Sequence, residues 1–298
     1  MKFAVYGSTG QLARALKTVF ANNGCDGIFF DRTDCDLSQD REIIYKHAKT
    51  VPDVDGVIIA AAYTAVDAAE TDKANAFAVN EDAPRAIAEA CKERGHPLVF
   101  ISTDYVFNGT VTEPYTVVTP TQALNVYGAS KLAGENALRD VGGNTVILRT
   151  SWVYDGTGKN FLTTMLRLGK VITSLSVVSD QIGRPTYAGH LAKAVYAAAL
   201  KLHSAEISGV KTYHISGTGM PTSWAGFARA IFIAAQDDLP HSVEVNDITT
   251  EEYPTPAARP SYSVLDVTDF ETTFDYSIPD WKEGLVEALA EWRNFSVP

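Results

Sequence analysis

Long hydrophobic runs are missing from this sequence of 298 residues. No stretch reaches the roughly 18 consecutive apolar residues that are needed to cross a bilayer. The first residues, Met1–Gly7, lack the apolar core of a secretory signal and lead directly into a predicted strand. We therefore expect a protein that does not span a membrane and that works in the cytoplasm.

Cysteines and metal-binding patterns are also scarce. The three cysteines, Cys25, Cys35 and Cys91, are an odd number without a CxxC pair, which argues against a disulfide framework. None of the six histidines belongs to an HxH, HxxxH or HExxH spacing. The sequence therefore predicts no metal site.

Basic residues are outnumbered, with 25 Lys and Arg against 36 Asp and Glu and a formal net charge of −11. A protein that grips nucleic-acid phosphates needs a basic face, so this charge argues against that class of partner. An anionic small molecule can still bind where a pocket concentrates local donors and positive charge.

The first half of the chain alternates short apolar segments with helical patterns. The predicted strands are Lys2–Tyr6, Gly27–Phe30, Val57–Ala60, Pro97–Ser102 and Thr145–Leu148. The predicted helices are Gln11–Asn22, Arg41–Ala48, Ala74–Arg94 and Asn125–Leu138. The segment Asp36-Leu37-Ser38 has the residue types of a helix N-cap before the second of these helices.

Continuous apolar strands separated by helices indicate a parallel sheet covered on both faces. We therefore predict an α/β fold, a Rossmann-like doubly wound parallel sheet with a smaller C-terminal substrate-binding lobe. Residues 1–152 would form the dinucleotide-binding domain, completed by sheet elements from about 186–235. Residues 153–185 and 236–298 would form the lobe.

A glycine-containing turn, Gly7–Ala13, follows the first predicted strand and opens the first helix. Small residues are needed there because the backbone turns sharply and approaches the pyrophosphate of a dinucleotide. The helix N-terminus then supplies free N–H groups and the positive end of its dipole. This position predicts a nucleotide cofactor.

The end of the second predicted strand should meet the adenosine ribose of such a cofactor. Asp31 suits a free 2′-hydroxyl and favours NAD, whereas Arg32 suits a 2′-phosphate and favours NADP. The two signals conflict. Ala60-Ala61-Ala62, after the third strand, are small enough for the adenosine half to lie over them.

The pentapeptide Tyr127–Lys131 carries the catalytic signal. Its tyrosine and lysine are four residues apart on a predicted helix, so their side chains share a face. We expect the ammonium to lower the pKa of the phenol and to hold the nicotinamide ribose, while the phenol donates a proton to a carbonyl. Thr103, at the end of the fourth predicted strand, can supply a hydroxyl to the same oxygen.

The sequence resembles the dTDP-4-dehydrorhamnose reductases, a family within the extended short-chain dehydrogenase/reductases. The STDYVF and RTSWVY blocks are more specific to that family than the YxxxK spacing. The blocks that carry the resemblance are Gly7–Leu12 (GSTGQL), Ala60–Glu70 (AAAYTAVDAAE), Ser102–Phe107 (STDYVF), Asn125–Glu135 (NVYGASKLAGE), Arg149–Tyr154 (RTSWVY), Asn160–Leu168 (NFLTTMLRL), Leu175–Thr186 (LSVVSDQIGRPT) and Tyr253–Pro260 (YPTPAARP).

The resemblance implies an enzyme of dTDP-rhamnose biosynthesis that uses NADPH or NADH to reduce the 4-keto group of dTDP-4-dehydro-L-rhamnose. It implies Thr103, Tyr127 and Lys131 as the catalytic residues. The implied cofactor contacts are Gly7, Thr9, Gly10, Gln11, Leu12, Ala60, Ala61, Ala62, Thr64, Tyr127 and Lys131. The implied substrate contacts are Thr103, Asp104, Tyr105, Trp152 and, for the diphosphate, Arg259.

Two departures from the family pattern bear on assembly and on the glycine turn. Some members dimerise through magnesium held by glutamates, but the matching stretches here, Ala13–Leu16 and Ala188–Leu191, contain no acidic residue. We therefore expect no magnesium-bridged homodimer, while another kind of homodimer stays open. Ala13 replaces the usual third glycine, a change of one methyl group that the turn should tolerate.

Two other interpretations stay open at this point. The chain could reduce another nucleotide-linked 4-keto-deoxysugar, because the motifs define the chemistry better than the stereochemistry. It could also be a non-catalytic subunit, like the relative that regulates an S-adenosylmethionine synthetase. The presence of Thr103, Tyr127 and Lys131 together argues against a purely regulatory role.

Overall fold

The computed structural model describes residues 1–296. The strands are β1 (Lys2–Tyr6), β2 (Asp26–Phe30), β3 (Gly56–Ile59), β4 (Leu98–Thr103), β5 (Thr145–Thr150), β6 (Val153–Tyr154), β7 (Ser174–Val178), β8 (Ile182–Gly183), β9 (Thr186–Tyr187), β10 (Val210–Ile215), β11 (Thr222–Ser223) and β12 (Glu244–Ile248). The α-helices are α1 (Gln11–Asn22), α2 (Arg41–Thr50), α3 (Val66–Ala69), α4 (Lys73–Phe77), α5 (Ala83–Arg94), α6 (Val126–Val141), α7 (Phe161–Gly169), α8 (Ala188–His203), α9 (Trp224–Ala234), α10 (Thr268–Phe274) and α11 (Trp281–Ser296).

Six of these strands form one parallel sheet in the order β10-β5-β4-β3-β1-β2. The chain adds β2 on one side of β1 and then crosses to add β3 on the other. The strand order therefore reverses between β1 and β3. Ligands of doubly wound sheets bind at such a reversal, outside the carboxyl ends of the strands.

Helices cover both faces of the sheet, as the sequence predicts. On one face, Leu16 of α1 and Val195 of α8 are fully buried in a cluster with Val5 of β1. On the other face, Ile44 of α2 and Ile87 of α5 are fully buried against the opposite side of the same sheet. The prediction of a doubly wound α/β fold is confirmed.

A third apolar cluster belongs to the smaller lobe. Leu166 of α7, Phe227 of α9 and Leu289 of α11 are buried there together, beside the parallel pair β7–β12. The structure therefore packs α9 with the lobe, although the sequence analysis grouped it with the sheet. It packs Phe270 and Phe274 of α10 against the sheet side, although that segment was grouped with the lobe.

Local signals in the sequence were less exact than the overall pattern. Asp40, not the Asp36–Ser38 segment, caps α2, because its side chain accepts a hydrogen bond from the backbone N–H of Glu42 at 2.8 Å. The Asp36 carboxylate instead accepts hydrogen bonds from the N–H and the hydroxyl of Ser38, which form a short turn. The predicted helix Ala74–Arg94 is interrupted by a π-helical turn at Ala78–Asp82.

Within residues 1–296, no helix has the length and apolarity to cross a membrane.

Two glycines let α6 lie unusually close to its neighbours. A methyl group on Gly134 would stand 2.0 Å from the backbone oxygen of Asn80 in the π-helical turn. A methyl group on Gly128 would stand 2.2 Å from the backbone oxygen of Tyr105. These contacts fix the distance of α6 from the end of β4.

We predict that Gly134→Ala lowers the free energy of unfolding by about 1–3 kcal/mol, because the added methyl overlaps backbone that cannot rotate away. Urea denaturation measures the change. Gly10→Ala is the control for steric overlap, since a methyl there meets no atom within 4 Å, and it should cost only the preference for glycine over alanine at a helix N-cap. Equal stability of Gly134→Ala and wild type would contradict the close packing of α6.

Candidate active site

A cleft of about 640 Å³ lies at the carboxyl ends of the sheet strands, next to the point where the strand order reverses. It brings together most of the residues that the sequence analysis selected. Those that line it are Gly7, Thr9, Gly10, Gln11, Leu12, Ala60, Ala61, Ala62, Thr64, Thr103, Asp104, Tyr105, Tyr127, Lys131 and Trp152.

The glycine turn leaves room for a group bound against its backbone. Gly7 has φ +106°, and a methyl on it would approach the backbone nitrogen of Ala61 to 3.0 Å. Glycine is therefore required there both for its conformation and for the close approach of the chain after β3. Gly10 begins α1 without a side-chain cap and faces open space. The free N–H groups of this helix end can meet an anion.

Asn125 caps the start of α6, and its side chain accepts a hydrogen bond from the N–H of Gly128. Further along this helix, the ammonium of Lys131 donates to the backbone oxygen of Ile101 at 2.6 Å and lies 3.9 Å from the ring centre of Phe100. Burial lowers the pKa of Lys131 to about 7, partly offset by Glu135. The ammonium is thus held at the end of β4.

The pKa of Tyr127 differs from our expectation. We predicted that Lys131 would lower it, but burial raises it to about 12, and only the neighbouring Thr103 hydroxyl acts in the opposite direction. The phenol therefore keeps its proton near neutral pH. Its ring packs edge-on against Tyr105, with the ring centres 5.5 Å apart.

Asp104 is a buried carboxyl group at the floor of the cleft. Only 2% of the residue is exposed, and its Oδ1 accepts a hydrogen bond from the Thr103 hydroxyl at 3.1 Å. Its other oxygen, Oδ2, accepts no hydrogen bond of good geometry, although the Ser263 hydroxyl is near enough to the carboxyl to act against the rise of its pKa. Burial raises the pKa of Asp104 to about 7. An unsatisfied buried acceptor at this position suits a hydroxyl group of a ligand.

Behind the cleft, Glu135 joins α6 to two strands. Its carboxylate accepts two hydrogen bonds from Arg149 of β5, at 2.8 and 2.7 Å, and one from Ser102 of β4 at 2.6 Å. Arg139 donates a further bond at 2.9 Å. Burial alone would raise the pKa of Glu135, but these donors outweigh it and lower the pKa. The ionised carboxylate holds the helix of Tyr127 against the sheet.

Three of the predicted contact residues do not line the cleft. Asp31 is held in its own loop, where its carboxylate accepts hydrogen bonds from the N–H and hydroxyl of Thr33, and these lower its pKa. Arg32 is exposed beside it. Arg259 forms a two-pronged ion pair with Asp67, at 2.8 and 3.1 Å, instead of pointing free towards a diphosphate.

The family description "RmlD substrate binding domain" matches residues 1–294. A dTDP-4-dehydrorhamnose reductase of Sinorhizobium fredii is 41% identical over 287 residues, which is 95% of each chain. The solved reductase of Clostridium acetobutylicum superimposes with a TM-score of 0.89 at 35% identity, over 98% of this chain and 100% of that one. The chain belongs to the dTDP-4-dehydrorhamnose reductase family.

A second reductase structure, from Bacillus anthracis and in complex with NADP, has the same TM-score of 0.89 at 35% identity and covers 97% of this chain and 99% of that one. This chain is therefore also similar to a reductase whose structure contains a nicotinamide cofactor.

Some cleft residues of this family member escaped the sequence analysis. Arg14, in the first turn of α1, pairs with the buried Asp155 at 2.6 Å, and Lys159 follows in the same loop. A cation in the first turn of a helix is unfavourable because the N-terminal end of the helix dipole is positive. The position of Arg14 therefore indicated that an anion lies nearby. Nothing in the sequence indicated Lys159, because its place depends on the fold of the loop.

Within the described chain, no cluster of three potential metal-ligating His, Cys, Asp or Glu side chains is present.

We predict that Asp104→Asn changes the pH dependence of stability. An acid whose pKa rises on folding, here from 3.8 to about 7, stabilises the fold at low pH and loses that contribution as pH rises through about 7. The free energy of unfolding of the variant should therefore gain about 2–3 kcal/mol over wild type between about pH 5 and pH 8.

Urea denaturation at the two pH values tests this expectation, with Asp140→Asn, on the exposed side of α6, as the control. A constant difference between Asp104→Asn and wild type would show that Asp104 is already ionised in the folded protein at about pH 5.

Proposed function

We propose that this protein reduces the 4-keto group of dTDP-4-dehydro-L-rhamnose to give dTDP-L-rhamnose, with NADPH or NADH as the reductant. The observation that carries the proposal is the single cleft that joins the glycine turn to Thr103, Tyr127 and Lys131, in a chain that belongs to this reductase family. Relatives named for the same reaction match over nearly the whole chain.

The residues around the glycine turn fit a dinucleotide. The open space before Gly10 and the close contact of Gly7 with Ala61 leave bare backbone where a pyrophosphate would lie. Gln11 and Leu12 would hold that group through their N–H groups, and Ala60–Ala62 would face the adenosine half. When bound, the cofactor supplies the hydride that reduces the sugar carbonyl.

Tyr127 is the proton donor in this proposal. Because burial keeps its phenol protonated, it can hydrogen-bond to the substrate carbonyl and transfer the proton as the oxygen gains charge. Thr103 would donate a second hydrogen bond to that oxygen after releasing Asp104, and Asp104 would then accept from a sugar hydroxyl. Lys131 would then return a proton to the Tyr127 phenolate and regain one from solvent, and it would also bind the ribose of the cofactor. An intact set of these groups favours catalysis over a purely regulatory role.

The mode of assembly also belongs to the proposal. We propose that any homodimer forms without a bridging magnesium ion. At the two stretches where relatives carry glutamates, this chain has Arg14, which is paired with Asp155, and His190, which is buried against Glu287 at 2.8 Å. Neither arrangement offers a carboxylate pair to a cation.

A cytoplasmic location remains our prediction.

We predict that Tyr127→Phe keeps the cofactor affinity and lowers kcat by about 10²–10⁴, the usual contribution of a general acid. The oxidation of NADPH is followed by absorbance with dTDP-4-dehydro-L-rhamnose as substrate, and cofactor binding is measured separately by fluorescence. Near-normal turnover in the variant would remove Tyr127 from the mechanism.

We predict weak discrimination between the two cofactors, with kcat/KM differing by less than about 30-fold. Asp31 and Arg32 follow β2, outside the lining of the cleft, and both would act on a 2′-phosphate that reached this loop. The ionised Asp31 would repel it, and Arg32 would attract it. Asp31→Asn, which keeps an acceptor for Thr33 but removes the charge, should shift the preference towards NADPH, and Arg32→Ala should shift it towards NADH. If Arg32→Ala leaves the ratio of the two kcat/KM values unchanged, the arginine does not contact the cofactor.

A further inference from the structure

Trp152 has an unusual backbone conformation at the wall of the cleft. Its φ of +50° lies in the left-handed region, which bulky side chains rarely adopt. Conformations of this kind persist only where the surroundings hold them, and they concentrate at functional sites. Some neighbouring structure must therefore fix Trp152.

The neighbour is Trp224, the first residue of α9. Its indole ring is stacked on that of Trp152, with the ring centres 3.7 Å apart and the planes 10° from parallel. Phe161, at the start of α7, also packs against Trp224, with a centre distance of 4.7 Å and planes 50° apart. Trp224 thus packs against the lobe core and presents one flat face to Trp152.

The Trp152 ring also has a second close neighbour. The antiparallel pair β8–β11 places Gly183 opposite Thr222, immediately before α9. A methyl group on Gly183 would stand 2.7 Å from Cε2 of Trp152, so the ring lies directly on this backbone. The ring is therefore held by a stacked neighbour, Trp224, and by the backbone at Gly183.

We propose that Trp224 is a positioning residue for the substrate: it stacks on Trp152 and so fixes the aromatic wall against which the sugar lies. Trp224 does not itself line the cleft and acts through Trp152. The wall offers apolar aromatic surface, which suits the C–H groups of a deoxysugar better than a hydroxyl-rich edge. This inference rests on the proposed function, because it assumes that a sugar occupies the cleft.

The test compares Trp224→Leu and Trp224→Phe with wild type. Trp224→Leu removes the stacking partner, and we expect kcat/KM for the nucleotide sugar to fall about 10–100-fold, as expected for a small misplacement of substrate. The Kd for NADPH should not change, because the glycine turn is untouched. Trp224→Phe retains a ring and should recover much of the loss.

A spectroscopic measurement reports on the stack without substrate. Two parallel indoles in contact couple their transitions, so wild type should show an exciton couplet in circular dichroism. Trp224→Phe and Trp224→Leu should lose the couplet. Trp292→Phe, another tryptophan that packs in the lobe, is the matched control and should keep both the couplet and the activity.

The outcomes separate this inference from the proposed function. A wild-type protein that does not reduce the nucleotide sugar would defeat the proposed function itself. If wild type is active and Trp224→Leu has the same kcat/KM, the positioning role is wrong. A loss of NADPH affinity equal to the loss of substrate affinity would also overturn it, since that pattern indicates general damage to the fold.

Discussion

The site depends on the buried ion pair between Glu135 of α6 and Arg149 of β5. Glu135 is fully buried and Arg149 is only 3% exposed, so removal of Glu135 would leave the Arg149 charge in the interior without its ion-pair partner. Removal of Arg149 would leave Glu135 paired with the more exposed Arg139. Ser102 of β4 completes the arrangement. One carboxylate thereby joins α6 to the two strands whose ends form the floor of the cleft. Lys131, four residues before Glu135, shares its helix face and reaches the end of β4 for the same reason.

Burial then sets the proton chemistry of the cleft. It raises the pKa of Tyr127 to about 12 and that of Asp104 to about 7, and it lowers that of Lys131 to about 7. The phenol consequently stays protonated at neutral pH, whereas the two other groups titrate in the range where an enzyme works. Burial of these donors strengthens each hydrogen bond to a carbonyl oxygen that gains charge.

The sequence predicted the repeating parts of the structure well and the particular contacts less well. The periodicity of Lys2–Tyr6 and Gln11–Asn22 gave the correct strand and helix, because apolar spacing reports directly on a buried face. The Tyr127–Lys131 spacing likewise predicted a shared helix face, which the structure has. The pKa of Tyr127 could not be predicted, since it depends on burial by residues distant in sequence. The pairing of Arg259 with Asp67, 192 residues away, and the stack on Trp152 depend on tertiary contacts in the same way.

The central claim is that this cleft delivers a hydride to C4 of a dTDP-linked 4-keto-deoxysugar. The most direct measurement supplies NADPH deuterated at its transferable position together with dTDP-4-dehydro-L-rhamnose, and analyses the product by NMR. We predict dTDP-L-rhamnose with deuterium at C4, formed in step with oxidation of the cofactor. A product without deuterium at C4, or no oxidation of the cofactor in the presence of this sugar, would contradict it.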